Sequence, residues 1–227
     1  MRIRWYGQSA FRLEGEKTVV IDPFGNFRER ALARGMRFDY PPLEEQHADL
    51  LLITHEHPDH NAAELVTGEP ASIRSTAGVF ESPVGDVVAV ASEHDDAAGT
   101  LRGPNTIFRF SLDGLRLCHL GDLGQSALRH EQRRAIGEVD VLFVPVGGGQ
   151  TIGGAIAADV VRSLVPRLVV PMHYRTPAID FLESPDDFLA ALGARTETVD
   201  ANTAVAEELL GTPEAPVALL IAPLARN

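Results

Sequence analysis

The chain has little cysteine, little lysine and no long apolar run, and each shortage excludes a class of protein. Cys118 is the single cysteine among 227 residues, so no disulfide bond can form within the chain. No apolar run approaches the roughly 18 residues that a membrane-spanning helix needs. Without disulfide bonds or a membrane segment, the expected location is the cytoplasm.

Positive charge is also scarce. Lys and Arg total 20 against 32 Asp and Glu, which leaves a formal net charge of −12 at pH 7. Only one of the basic residues is a lysine, Lys17, and no polybasic tract is present. Proteins that bind nucleic acids or anionic membranes use clustered basic side chains, so the sequence argues against both partners.

The apolar pattern predicts one α/β domain over residues 1–227, because apolar residues make up 44% of the chain. The predicted strands are Arg2–Tyr6, Ala10–Leu13, Thr18–Ile21, Asp49–Ile53, Asp86–Ala91, Thr106–Phe110, Leu115–Leu120, Val139–Val144, Arg167–Val170 and Val217–Ile221. Helical spacing predicts helices at Ile156–Leu164 and Pro185–Leu192. The arginine-bearing segment Asn26–Tyr40 is either a short helix ended by Gly35 or an irregular cover.

A dense group of metal-ligating residue types follows the predicted strand Asp49–Ile53. Within six residues the chain carries His55, His57, Asp59 and His60. Imidazole and carboxylate are ligands for Zn²⁺ and other divalent ions of the first transition row. A spacing of two points His55 and His57 the same way from an extended backbone, and Pro58 redirects the chain before the next two side chains.

Four residues of one loop cannot complete two metal sites, so further ligands are expected where other strands end. His94 follows Asp86–Ala91, and Asp122 follows Leu115–Leu120 after Gly121. His173 follows Arg167–Val170. Each alone is typical of a surface residue, but together with the first group they predict a shared metal centre.

The complete pattern His-x-His-x-Asp-His at residues 55–60 resembles the metallo-β-lactamase fold superfamily. The resemblance covers almost the whole chain and includes the segments Trp5–Phe11, Ile21–Phe24, His119–Asp122 and Pro171–Tyr174. These segments are similar to a compact branch of Zn-dependent hydrolases that includes the ascorbate-phosphate lactonase-like proteins. Gln8 departs from that branch, where many members have histidine.

The resemblance implies an αββα four-layer sandwich, in which two mixed β-sheets pack back to back, helices flank them, and metals lie at one edge. It implies two divalent ions, Zn²⁺ first, with Mn²⁺ or Fe²⁺ as alternatives. The implied ligands of one ion are His55, His57 and His94. Those of the other are Asp59, His60 and His173, with Asp122 bridging both.

Three residues are weaker candidates for contacts around the metals. Asp22 resembles the family's buried carboxylate that orients a ligand histidine, and its alternative role is a turn before Pro23. His119 either contacts the substrate or a ligand, or packs within its strand. Tyr174 either contacts an anionic leaving group or lies on the surface. The arginines of Arg28–Arg37 either attract an anion to the site or form a solvated face.

The expected function is that of a dinuclear metal-dependent hydrolase. Two cations about 3.5–4 Å apart can share a water and lower its pKa enough to supply hydroxide near neutral pH. That metal-bound hydroxide would attack an ester, lactone or phosphodiester of a small anionic substrate, and Asp59 would orient it and exchange its proton. The alternatives are an iron-dependent oxidoreductase of the same fold and a non-catalytic metal- or ligand-binding module.

Overall fold

The computed structural model describes residues 1–200, 202–204 and 209–223, which form two large β-sheets, one small sheet and four α-helices. The strands are β1 Arg2–Gly7, β2 Ala10–Glu14, β3 Thr18–Ile21, β4 Gln46–His47, β5 Leu50–Ile53, β6 Val66–Thr67, β7 Ala71–Arg74, β8 Gly78–Phe80, β9 Val87–Glu93, β10 Pro104–Leu112, β11 Leu115–His119, β12 Val141–Pro145, β13 Leu168–Met172, β14 Arg195–Val199, β15 Asn202–Ala204 and β16 Val217–Ile221. The helices are α1 Arg28–Leu32, α2 His130–Ile136, α3 Gly154–Leu164 and α4 Asp186–Leu192.

Both large sheets are mixed. The first has the order β15-β1-β2-β3-β5-β7, in which β1, β2 and β3 are antiparallel neighbours and β3, β5 and β7 are parallel. The second has the order β14-β16-β13-β12-β11-β10-β9-β8, in which β10 is antiparallel to both neighbours and β11, β12, β13 and β16 are parallel. The expected α/β class with two mixed sheets is confirmed.

The main core lies between the two sheets. Alternate residues of a strand point to opposite faces, so Ile21 of β3 and Leu52 of β5 point into this core while their neighbours point outward. Phe11 of β2 meets Phe143 of β12 edge to face, with ring centroids 4.7 Å apart. Both rings are fully buried, so this pair joins the first sheet to the second.

Different elements cover the outer faces of the two sheets. The helix α3 packs on β12 and on α4, and α2 packs on β9, so helices cover the second sheet. On the first sheet, Val20, Leu51 and Ile53 point outward and are covered by Ala48 and Val66 from the β4–β6 region. One outer layer of the expected sandwich is therefore built from short strands and turns rather than from a long helix.

Most predicted elements occur within a few residues of their expected bounds, and the bounds of β3 and β16 are the predicted bounds. In Asn26–Tyr40 both alternatives occur, because α1 is followed by irregular chain in which Gly35 adopts a left-handed φ of 70°. The helix α2 and the strands β4, β6, β7, β8, β14 and β15 were not predicted. No helix in the described ranges is long and apolar enough to cross a membrane. The single domain over residues 1–227 includes residues outside the described ranges and stays a prediction.

The strand directions bring several strand ends to one edge of the sandwich. The strands β3 and β5 are parallel, as are β11 and β13 through β12. Both β9 and β11 are antiparallel to β10, so they also run in the same direction. Asp22, His94 and His173 directly follow β3, β9 and β13. Asp22 contacts His60, and His60, His94 and His173 all contact Asp122, so the ends of both sheets meet at a common edge.

Phe143→Ala should lower the free energy of unfolding by about 3–5 kcal/mol, because it removes a fully buried ring from the contact between the sheets. Urea unfolding measures the loss. Val79→Ala is the matched control, since that side chain is 66% exposed and its removal should change stability by less than about 0.5 kcal/mol. Equal effects of the two substitutions would contradict the assignment of the inter-sheet core.

Candidate metal centre

Four histidines from three parts of the chain surround the carboxylate of Asp122. Its Oδ2 atom lies 3.3 Å from the Nε2 atoms of His60, His94 and His173. The Nε2 atom of His55 lies 4.0 Å from the same oxygen. These five side chains are buried, so the polar groups meet in a largely dehydrated space at the edge of the sandwich.

The ligand atoms fall into two neighbouring groups. In each group they lie within 4.8 Å of one another: the first contains His55, His57 and His94, and the second contains His60, Asp122 and His173. Asp59 lies beside the second group, with its Oδ2 atom 3.8 Å from Nε2 of His60 and its side chain partly exposed. The structure thus brings together all seven residues expected as ligands.

Several nitrogens of this centre are buried without a hydrogen-bond partner. They include Nε2 of His55, Nε2 of His60 and both ring nitrogens of His94. A buried polar atom without a partner costs free energy, and such atoms are rare unless another group completes them. Unpartnered imidazole nitrogens that converge beside a carboxylate fit a divalent cation, because this is the donor set that Zn²⁺ takes in proteins.

Asp22 fixes the orientation of two of these histidines. It accepts hydrogen bonds from the backbone N–H of Thr54 at 2.8 Å and from the Thr54 hydroxyl at 2.7 Å. Its Oδ2 atom also accepts from Nδ1 of His60 at 3.1 Å. Because the one hydroxyl proton of Thr54 goes to Asp22, Nδ1 of His55 must donate to the Thr54 oxygen, 3.0 Å away. Both rings therefore carry a proton on Nδ1, and Nε2 is the atom directed at the centre.

Asp22 is itself close enough to His55 and His60 to form a third potential ligand group. Three hydrogen bonds already engage its two oxygens, and the side chain is fully buried. A carboxylate in that environment supports ligands rather than acting as one. The expectation that Asp22 orients a ligand histidine agrees with its contacts, whereas the alternative of a simple turn residue does not account for them.

A second set of hydrogen bonds positions Asp122. Its Oδ1 atom accepts from the hydroxyl of Ser9 at 2.8 Å, and its backbone N–H donates to Oδ1 of Asn105 at 3.0 Å. The preceding Gly121 has a φ of 57°, and a Cβ there would lie 2.3 Å from the Asn105 side-chain oxygen. Only glycine fits this turn, so Oδ2 of Asp122 is left facing the histidines.

Electrostatics in the centre favour a bound cation. Burial lowers the pKa of His60, but the carboxylates of Asp122 and Asp59 outweigh burial and raise that pKa well above its ordinary value. Burial raises the pKa of Asp122, but His173 and His60 outweigh it and hold that pKa well below its usual range. Burial lowers the pKa of His55, which stays neutral, the form that ligates a metal.

Three non-glycine residues at this edge adopt left-handed backbone conformations. The φ angles are 49° at Gln8, 47° at Asp22 and 50° at His173. The backbone oxygen of Gln8 accepts hydrogen bonds from the Trp5 indole at 2.9 Å and from the backbone N–H of His173 at 3.2 Å. The surrounding structure therefore holds these side chains toward the centre despite the cost of the conformation.

Gln8, the position that departs from the resembling branch, lies against the centre. Its side-chain nitrogen is 3.5 Å from Nε2 of His173, and its Oε1 atom is buried without a partner. The glycine-rich loop after β12 also reaches the centre, since the backbone N–H of Gly147 donates to the His173 oxygen at 3.0 Å.

The remaining weak candidates lie in the interior. His119 is fully buried, accepts from the backbone N–H of Gly121 on Nδ1 at 3.1 Å and contacts the Ser9 oxygen through Nε2 at 3.1 Å. It therefore holds the Gly121–Asp122 turn, and contact with the substrate is not what its position favours. Tyr174 is also buried and packs against Trp5, with the ring planes tilted by 36° and the centroids 5.1 Å apart, rather than lying on the surface.

Sequence reasoning missed the small polar residues that support the ligands. Thr54, Ser9 and Asn105 contact Asp22 or Asp122, yet residues of these types occur throughout the chain. Thr54 directly precedes His55, and this adjacency to the motif was the only signal available. Ser9 and Asn105 reach Asp122 through tertiary contacts, which no local pattern reveals.

Asp22→Asn should lower the affinity for Zn²⁺ by about 10–100-fold, the range typical for residues that orient metal ligands. An amide keeps the size of the carboxylate but turns an N–H₂ group toward the donors of Thr54 and His60. Competition with a chromogenic chelator measures the affinity. Asp159→Asn, at an exposed position of α3, is the control. Unchanged Zn²⁺ affinity in Asp22→Asn would contradict the orienting role.

Comparison with known proteins agrees with this geometry. A family profile described as a beta-lactamase superfamily domain matches residues 2–173. A UPF0173 metal-dependent hydrolase from Thermococcus kodakarensis is 32% identical over 226 residues, covering 88% of this chain and 95% of that protein.

Solved structures give the same result. A crystal structure of a proposed Zn-dependent hydrolase of the metallo-β-lactamase superfamily from Thermotoga maritima matches with a TM-score of 0.75 and 33% identity, covering 97% of this chain and 98% of that one. The metallo hydrolase Igni18 from Ignicoccus hospitalis shares the fold, with a TM-score of 0.59 and 21% identity over 85% of this chain and 90% of that one. The expected resemblance is confirmed, and the chain belongs to the metallo-β-lactamase superfamily.

Proposed function

We propose that the chain is a metal-dependent hydrolase whose centre takes two divalent cations. The observation that carries this proposal is the convergence of unpartnered histidine nitrogens on Asp122 at a buried sheet edge. The centre adjoins a cavity of about 240 Å³, to which His57 and Asp59 contribute. Relatives that carry the name metal-dependent hydrolase support the same activity.

The division of the ligands into two groups supports two cation positions. His55, His57 and His94 would hold one cation, and His60, His173 and Asp59 would hold the other. Asp122 would bridge them, because its Oδ2 atom is the oxygen that both groups approach. Zn²⁺ is the proposed ion, since three to four nitrogen and oxygen donors per site suit it.

When bound, two such cations lower the pKa of a shared water and polarise the oxygen of the bond to be broken. Asp59 has the position of the proton-transfer group, because it faces both the cavity and the second ligand group. It can accept a proton from the attacking water on a carboxylate oxygen and return it to the leaving group. The other expected ligands except the half-buried His57 are buried, which limits the access of bulk water to the centre.

The proposed substrate is a small anionic molecule with an ester, lactone or phosphodiester bond. A cavity of about 240 Å³ lies below the 300–1,000 Å³ common for drug-sized ligands. The cations and the arginines at this cavity favour negative charge, even though the whole chain carries −12. We propose a cytoplasmic location for the protein.

Elemental analysis of the purified protein should find two divalent ions per chain. Asp122→Ala should lose at least one of them and lower activity by more than about 100-fold. Removing a residue that only orients the ligands typically lowers metal affinity or activity by about 10–100-fold, and removing the bridging ligand should lower them further. Asp187→Ala, on the exposed side of α4, is the control and should retain both ions. Full activity of Asp122→Ala without bound metal would disprove the proposal.

A panel of 4-nitrophenyl esters, lactones and bis(4-nitrophenyl) phosphate, tested with Zn²⁺, Mn²⁺ and Fe²⁺, identifies the reaction class. We expect metal-dependent hydrolysis in at least one of these classes and no uptake of oxygen by the Fe²⁺-loaded protein. Oxygen consumption without hydrolysis would favour an oxidoreductase instead. A fully loaded protein without turnover of any substrate would favour a binding module.

A further inference from the structure

Three arginines line the cavity that opens beside the metal centre. Arg30 of α1 and Arg34, just past that helix, border it on one side, and Arg102 comes from the turn before β10. His57 and Asp59 of the metal centre line the same cavity. Phe27 and Phe181 add apolar surface to its lining.

These three guanidinium groups have no ion pair or hydrogen bond with any described residue. Several other arginines, though not all, are paired: Arg28 lies 2.9 Å from Asp39, Arg116 lies 2.8 Å from Asp140, and Arg129 lies 2.8 Å from Glu93. The chain has 32 acidic residues for 20 basic ones, so carboxylates are abundant. Three unpaired cations at one cavity of an acidic protein point to an anion supplied from outside.

The fold separates these arginines from the others of the same segment. Arg30 lies in α1 and Arg34 lies in the turn that follows it, and both line the cavity beside the metal centre. Arg28 and Arg37 line a different cavity, together with Asp39 and Asp180. The buried Ala31 and Phe27 fix this division, because they anchor α1 to the aromatic cluster beneath it. The four arginines of Arg28–Arg37 are all exposed, so the expectations of anion attraction and of a solvated face both stay predictions.

We propose that Arg30, Arg34 and Arg102 bind an anionic group of the substrate that is not the group being hydrolysed. This inference rests on the proposed hydrolase function and adds to it the shape of the substrate. Guanidinium groups recognise carboxylate and phosphate through paired hydrogen bonds, so either is a suitable anion. The substrate class is thus a small molecule with a hydrolysable bond at one end, an apolar spacer and a carboxylate or phosphate at the other.

Three 4-nitrophenyl esters test the proposed anion site on the metal-loaded enzyme. Their acyl chains have similar lengths and end in a methyl, a carboxylate or a phosphonate group: 4-nitrophenyl hexanoate, mono(4-nitrophenyl) adipate and 4-nitrophenyl 5-phosphonopentanoate. Wild type should have a kcat/KM at least about 10-fold higher for one of the two anionic esters than for the neutral hexanoate ester. Each of Arg30→Gln, Arg34→Gln and Arg102→Gln should raise KM for the preferred anionic ester by about 3–10-fold, with kcat for the neutral ester unchanged. The preference between carboxylate and phosphonate identifies the anion.

Arg37→Gln is the matched control, because it removes the same charge from the same segment but lies at the other cavity. It should leave all three KM values unchanged. An equal rise of KM in Arg37→Gln and Arg34→Gln would overturn the proposal in favour of a general field effect. Equal kcat/KM for the three esters in wild type would also overturn it, while leaving the hydrolase function intact.

Calorimetric binding of unreactive acids separates this proposal from the hydrolase function. Adipate and hexanoate share one carboxylate that can bind at the metals, and only adipate has a second. Wild type should bind adipate or 5-phosphonopentanoate at least about 10-fold more tightly than hexanoate, and the triple arginine variant should bind them equally. If no ester, lactone or phosphodiester of the panel is hydrolysed, the hydrolase function fails, but this comparison still decides the anion site. Equal affinities in wild type would disprove it.

Discussion

The centre depends on one buried carboxylate, that of Asp22. It takes hydrogen bonds from the backbone and hydroxyl of Thr54 and from the His60 ring, and through Thr54 it also orients His55. These bonds join the end of β3 to the loop after β5, the neighbouring strand of the first sheet. A single negative charge therefore sets the proton positions of two ligand rings and holds the metal-binding loop against its sheet. Losing it would free both rings to rotate.

Much of the fold could be read from apolar patterns, because the central strands are buried on both sides. The continuous apolar runs in β3, β5 and β12 stand out from the turns that bound them. The two-residue strands β4 and β6 have no such signal, because each is a strand only through pairing with the other. The helix α2 was missed for a related reason, since its polar sequence buries only Gln132 and Ile136.

Some residues of the candidate site could also be predicted from the sequence, and others could not. The seven expected ligands could be named from their types and their positions at strand ends, and the structure brings these residues together. That they bind metal stays a prediction. The residues that make the geometry specific were not predictable, since Ser9 and Asn105 contact Asp122 across 113 and 17 positions of the chain. The arginines were visible in the sequence, but only the fold separates Arg30 and Arg34 from Arg28 and Arg37.

The left-handed backbone at Asp22 and His173 has a consequence for how this chain can evolve. Glycine adopts that conformation without strain, whereas aspartate and histidine adopt it at a cost in conformational free energy. The chain bears this cost because the centre needs these two side chains. Substitutions that relax the backbone there would remove a ligand or its support. The sequence that folds most stably and the sequence that holds a metal are thus different sequences, and selection must keep a margin of stability elsewhere, in the core between the sheets, for the centre to persist.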